Sequence, residues 1–286
     1  MTNVDQFESV FRSAAKAVFH HEPIAFGSIL IVTDLESYDA NLLAERTKQF
    51  LKTLDRDDGP TWTVIEGSAF QTVRDLLDVV EQHRPDLICT YRNLHTEGWR
   101  WPFTIGDHLE VLTQATTTPV LVLPHPKAGK NAEHAMGDTS CVMAITDHLT
   151  GDDRLVNHAA ALTEPDGTLW LAHVEDDAAY DRTIEIIGKI PDLDTDVARE
   201  AIRKQLLKEP ADYIDSCRAG LTAAEVSITV QPHVTMGHHL STYQTLIGEH
   251  AVDLLVMNTK DEDQMAMHGL AYPLAVQMRS IPMLML

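Results

Sequence analysis

From residue 28 onward, short unbroken apolar runs alternate with longer stretches in which apolar residues recur every three or four positions. Ile29 to Val32 is the first run, closed by Thr33-Asp34. A continuous β-branched and leucine run predicts a strand buried on both faces, as in a parallel sheet. Leu43, Thr47, Phe50, Leu51 and Leu54 then recur at helical spacing, with a helix start at Asp39-Ala40-Asn41. The turn cluster Asp57-Asp58-Gly59-Pro60 leads into a second strand, Thr61 to Ile65. After Gly67-Ser68, Val73 to Gln82 reads as a second amphipathic helix, and Leu87 to Thr90 as a third strand. A long loop runs to Gly106, a helix follows to Thr116, and Val120 to Leu123 is a further strand. Strands alternating with helices predict a parallel sheet with right-handed crossovers.

The pattern then repeats. ILIVTD at 29–34 is answered by VMAITD at 142–147, and DLICTY at 86–91 by DLLVMN at 253–258. Each half closes on a proline and an apolar run, PVLVLP from Pro119 and PMLML from Pro282. A repeat this long is a duplicated domain, well beyond the 20–50 residues of a solenoid unit. Asp34 and Asp86 are 52 residues apart, whereas Asp147 and Asp253 are 106 apart. The excess predicts a strand Thr168 to Val174 and a helical stretch over 178–219, interrupted by Pro191 and Pro210. The second copy is thus expected to have five strands, and the first to lack one strand–helix unit. Before the first copy, residues 5–19 place Phe7, Phe11, Ala14, Ala15 and Val18 on one helical face. Residues 124–138 are polar, rich in Pro and Gly and without periodicity, as an interdomain linker would be.

The formal charge of −21, from 43 acidic and 22 basic residues, repels phosphate backbones and anionic lipid, and no basic patch offsets it. Apolar runs reach about six residues, far below the roughly 20 that cross a bilayer. Nucleic-acid binding and membrane insertion are therefore not expected. The N-terminal MTNVDQFESVF has no apolar h-region. Cys89, Cys141 and Cys217 have no metal-type spacing and read as buried thiols of a cytoplasmic protein. Fifteen histidines include the doublets His20-His21 and His238-His239, but adjacent residues diverge on a strand or helix, so neither doublet is a two-ligand clamp. No metal site is expected.

These landmarks resemble the universal stress protein family in a tandem two-domain arrangement. In that family the first strand ends like VATD, the fourth reads like DLIVMG, a glycine loop and helix follow, and the last strand reads like PVLVV. Here ILIVTD, DLICTY, Gly106 and PVLVLP match in the first copy, and VMAITD, DLLVMN, Gly269 and PMLML in the second. The separations Gly106 to Pro119 and Gly269 to Pro282 are both 13 residues. The resemblance covers the chain apart from its N-terminal segment and linker. It implies open α/β sheets of the adenine-nucleotide α-hydrolase-like kind, with ligands at the carboxyl ends of strands. It also implies pairing of the two domains as an intramolecular pseudo-dimer through the terminal strands; a homodimer of whole chains stays open, and no protein partner can be named.

Nucleotide-binding members carry G-x-x-G-x9-G-(S/T) after the fourth strand. Glycines let the backbone approach phosphate and free amides donate to it. Neither copy keeps this pattern. Tyr91 and Leu94 replace the first two glycines of the first copy, and Asp107 follows Gly106. In the second copy Asn258 and Asp261 replace them, Leu270 follows Gly269, and the loop TKDEDQMAMH is acidic. A carboxylate facing phosphate in a desolvated site is repulsive. What survives is a vestigial site of Asp34, Asp147, Gly106 and Gly269. Asp34 and Asp147 match the family's carboxylate near adenine or ribose, and equally suit turn aspartates bonding the backbone. Arg92, Trp99, Arg100, Trp101 and Phe103 make the first loop aromatic and locally basic. These rings either pack, or form an altered pocket in which Trp101 stacks on a planar ligand and Arg100 holds an anion.

No nucleophile elbow, zinc helix or phosphate loop of the Walker type occurs. The expected organisation is a terminal helix in 1–25, a shortened universal-stress-like domain over 26–127, a linker over 128–138 and a complete domain over 139–286. The expected function is a non-enzymatic stress-response or regulatory protein with no cofactor. The alternative is an ATP or AMP sensor using a non-standard phosphate loop.

Overall fold

The computed structural model describes residues 16–55, 59–101, 103–128, 135–146, 149–190, 194–259 and 271–286. The expected terminal helix over 5–19 lies mostly outside them. Residues 16–27 are irregular and cross the second half, where Phe19 is buried and Phe19 N donates to Ser216 Oγ at 3.1 Å. Val18, placed on an apolar helix face by periodicity, is 58% exposed.

The apolar runs form strands because every residue of them can be covered. In β1 (Ser28–Val32), Ile29 to Val32 are all buried; β3 (Leu87–Tyr91) and β4 (Val120–Leu123) are buried throughout. With β2 (Thr61–Ile65) they make the order β2-β1-β3-β4, all parallel. Helices Ser37–Phe50, Val73–His83 and Asp107–Ala115 connect them. The second helix starts at a capping box, Thr72 with Asp75, and ends at Arg84 in the left-handed region at φ 45°.

The second half repeats this arrangement with one addition. Strands β5 (Cys141–Ile145), β6 (Thr168–Asp176), β7 (Thr229–Gly237), β8 (Leu254–Met257) and β9 (Met283–Met285) run in the order β9-β8-β5-β6-β7, all parallel. Comparing the two orders corrects one expectation. Strand β6, which the 54-residue excess singled out as additional, pairs with β5 as β2 pairs with β1 and is its counterpart. The addition is β7, outside β6. Pro232, Gln231, His233 and Thr235 hide it from a reading based on apolar runs; as an edge strand it tolerates a proline.

A second correction concerns Pro210. Helix Thr195–Ala223 runs through it for 29 residues. Proline removes one helical hydrogen bond, but Tyr213, Ile214, Cys217 and Leu221 just beyond are buried and hold the helix to the body. Pro191 lies outside the described residues.

The two expected sheets are continuous. Strand β4 pairs antiparallel with β9, Val120 opposite Met285, Leu121 opposite Leu284 and Val122 opposite Met283, so the described residues form one nine-stranded sheet. An unpaired apolar edge would expose both hydrocarbon and backbone donors; here each edge covers the other. Arg92 reinforces the junction from just after β3. Its guanidinium is buried and donates to Ala275 O at 2.7 Å, Met278 O at 2.8 Å and Met283 Sδ at 3.1 Å.

Candidate functional site

The carboxyl ends of β1 and β3 are where an open α/β sheet receives a ligand, and here Asp34 meets Tyr91. The β1 strand stops because Thr33 N donates to Ile65 O and Leu35 N turns back to Thr33 Oγ1 at 3.1 Å, leaving half-buried Asp34 at the crest. Tyr91, fully buried at the end of β3, donates its hydroxyl to Asp34 Oδ1 and lies 2.7 Å from Thr33 Oγ1. The same oxygen accepts from Asp34 N at 3.1 Å. His95 N donates to Asp34 Oδ2 at 2.8 Å. Both carboxylate oxygens are thereby engaged by the chain. Burial, and then the bond to Asp34, push the Tyr91 phenol pKa upward, keeping it a donor.

Around this pair the loop after β3 closes tightly. Asn93 and His95 adopt φ of 62° and 58°, a conformation that glycines usually supply. Leu94, at a glycine position of the phosphate-binding pattern, is buried. Gly106 has φ +91°, and a Cβ there would lie 2.7 Å from Asn93 Cα, so the position requires glycine for packing as well as conformation. Beyond it, Asp107 and Glu110 occupy the first turn of helix Asp107–Ala115. They suit the positive end of the helix dipole, and they put negative charge where an anion would approach.

The aromatic part of the loop divides. Trp99 stacks on His125 at 5.0 Å and 16° between planes, and His125 meets Tyr91 edge-on at 4.9 Å. His125 comes from the start of the linker; its Nδ1 accepts from Lys127 N at 3.1 Å, and burial lowers its pKa to about 4, so it is neutral. Arg100 pairs with Glu97 at 2.6 Å and lies over Trp99 at 5.3 Å. Trp101 and Phe103 are 62% and 76% exposed. Arg100 and Trp101 are therefore not brought to Asp34, and Arg92 belongs to the sheet junction instead of the loop surface.

Behind Asp34, Phe70 touches two imidazoles edge-on, His95 at 4.7 Å and His108 at 5.7 Å. Thr90 Oγ1, Asn93 Oδ1, His95 Nε2 and His108 Nε2 are buried without a partner among the described residues. Sequence reasoning named Tyr91 only as a departure from glycine and passed over Phe70, His95, His108 and His125. Their convergence comes from two crossovers and a linker, and no local spacing carries it.

In the second half Asp147 and Gly269, with residues 260–270, lie outside the described residues. Asn258, at a former glycine position, donates to Asp152 Oδ2 at 2.5 Å, while Asp152 Oδ1 caps its helix at Leu155 N. Burial raises the Asp152 pKa.

Several solved structures align with nearly the whole chain, and two of them show the likeness. One is a functionally unknown protein from Pseudomonas aeruginosa PAO1, 12% identical with a TM-score of 0.51, covering 92% of each chain. The other is a universal stress protein from Archaeoglobus fulgidus DSM 4304, 11% identical with a TM-score of 0.52, covering 92% of this chain and 98% of that one. The fold is that of the universal stress proteins. No family model and no curated protein matches the sequence. Among the described residues no helix is long and apolar enough to cross a membrane.

Proposed function

We propose that this chain is a cytoplasmic regulatory protein of the universal stress type that works without catalysis and without tight ATP binding. The observation that carries this reading is the engagement of Asp34. Its two oxygens already accept from the Tyr91 hydroxyl and His95 N, so a ribose or adenine donor would compete with bonds the protein makes to itself. Trp99 on His125 adds aromatic cover beside Tyr91, and Asp107 and Glu110 oppose a polyphosphate. The charge of −21 further lowers the encounter rate of an anion. All three cysteines are free, and burial raises their thiol pKa values, to about 11 for Cys141, which suits inert thiols in a reducing compartment. The two halves act as one body through the β4–β9 junction, in place of a pair of separate subunits.

Isothermal titration of nucleotide-stripped protein with Mg-ATP tests the reading. The expected result is no saturable binding at micromolar concentrations. A dissociation constant below about 10 μM would overturn it and favour a nucleotide sensor.

A further inference from the structure

We infer that strand β7 is a dimerisation edge, at which a second copy of this chain pairs antiparallel and joins two sheets into one. β7 stands at one end of the strand order and has β6 on one side only. Its pairing with β6 is unbroken from Thr229 to Gly237, so successive residues turn their backbone groups to opposite sides. Thr229 N donates to Gly167 O at 2.8 Å, which directs Thr229, Gln231, His233, Thr235 and Gly237 toward β6. Val230, Pro232, Val234 and Met236 therefore present their backbone groups outward. Pro232 fits this parity, because an outward position can lack an N–H without breaking the ladder.

The edge is poorly guarded. Edge strands resist pairing by being short, charged or bulged, or by carrying proline. The opposite edge, β2, has five residues, whereas β7 has nine, with no Asp, Glu, Lys or Arg and no bulge. A neutral row in a chain of charge −21 is also the place where two copies repel least. At its start the edge is capped by Arg218, whose Nε donates to Val230 O at 3.4 Å. Further along, Pro232 O and both backbone groups of Val234 have no partner among the described residues, nor has Met236 N. That leaves Pro232 as the remaining guard, and self-pairing passes around it.

The parity of donors and acceptors selects a second copy as the occupant. A two-fold axis at Val234 sets this residue opposite itself, each N–H donating to the other's carbonyl. Met236 N of each copy then meets Pro232 O of the other. The N–H that Pro232 lacks falls opposite Met236 O, and that carbonyl already accepts from Thr235 Oγ1 at 3.3 Å. Every outward group from Pro232 to Met236 is thereby satisfied. An axis at His233 would instead set Val234 O against Pro232, with no donor. The pattern completes itself, and such an isologous pair closes at two copies.

Sedimentation equilibrium of the intact protein tests this. The expected result is a monomer–dimer equilibrium with a dissociation constant of about 1–100 μM. It should tighten with salt, which screens the repulsion between two chains of charge −21. Val234→Pro deletes the central N–H at a position where the fold itself does not use it, and should weaken association at least about tenfold. Thr235→Val leaves Met236 O without its donor and should weaken association about fivefold. Val234→Cys should yield a disulfide-linked dimer on oxidation, because the opposed Cα atoms lie about 5.5 Å apart, within disulfide reach. Pro232→Cys and the unmutated chain should not. In the unmutated protein, amide exchange at Val234 and Met236 should slow as concentration rises, so the test stands even where a variant fails to fold. A monomer at about 500 μM, a dimer that Val234→Pro leaves intact, equal cross-linking by Pro232→Cys, or exchange at Val234 independent of concentration would each overturn the assignment.

Discussion

His125 gives the covered site a sign-definite acid response. Its ordinary pKa is about 6.5, and burial between Trp99 and Tyr91 lowers it to about 4 in the folded protein. Between those values the unfolded chain binds the proton and the folded one does not, so this residue's contribution is full above the unfolded pKa and falls with acid. At pH 5 the loss is about 2 kcal/mol, and contact of the ring edge with water reduces it to about 1–2 kcal/mol. The informative perturbation is His125→Phe, which keeps a ring against Trp99 and Tyr91. It removes the acceptor used by Lys127 N, costing about 1 kcal/mol at pH 7.5. The two proteins should therefore converge or exchange order as pH falls: wild type more stable at pH 7.5, the variant equal or more stable at pH 5. Urea unfolding at pH 7.5, 6 and 5 measures this, and the difference between the proteins cancels the other titrating groups. Parallel curves across that range would show that His125 titrates normally and does not seal the site.

Tyr91→Phe removes the hydroxyl bonded to Asp34 and should cost about 1.5–3 kcal/mol, read by the same unfolding assay, because a hydrogen bond to a charged group is lost. Trp101→Ala should change stability by less than about 0.5 kcal/mol, since the ring is 62% exposed; a loss of about 3 kcal/mol or more would place it in a packed environment. Removing the last four residues takes Met283, Leu284, Met285 and Leu286 from full burial. At about 1.5–3 kcal/mol for each large apolar side chain, the protein should not fold stably, and an unchanged melting temperature would deny the β4–β9 junction.

What was legible in the sequence follows from how far apart the cooperating residues lie. Ile29 to Val32, Leu87 to Thr90 and Val120 to Leu123 announce buried parallel strands because burial on both faces leaves an unbroken apolar run. Strand β7 escapes because an edge strand is only partly covered and can carry Gln231, Pro232 and His233. Pro210 misleads because local propensity is outweighed by tertiary packing over a 29-residue helix. Asp34 was found from its place at the end of a strand. Its partners were not, because Tyr91 is 57 residues away and His125 enters through the linker. Arg92 read as part of a basic loop, and only the fold shows its guanidinium turned to carbonyls of the other half.

That last contact bears on why the site has its present shape. The loop after β3 is held from the second half at several points. Arg92 donates to Ala275 and Met278, Arg279 donates to Trp99 O at 3.1 Å, and Tyr272 donates to Glu110 Oε1 at 3.0 Å. A glycine-rich phosphate loop derives its use from free amides and conformational freedom. This loop has instead been given side chains that fix it: Tyr91 toward Asp34, Leu94 into the core, Arg92 across the junction. Each is larger than glycine, and Tyr91 and Arg92 each bond a partner elsewhere in the fold. Asp34 and the sheet junction are thus served by adjacent residues, Tyr91 for the first and Arg92 for the second. Glycine at position 91 would release Asp34 Oδ1 from the Tyr91 hydroxyl and leave the Arg92 contacts to the second half in place.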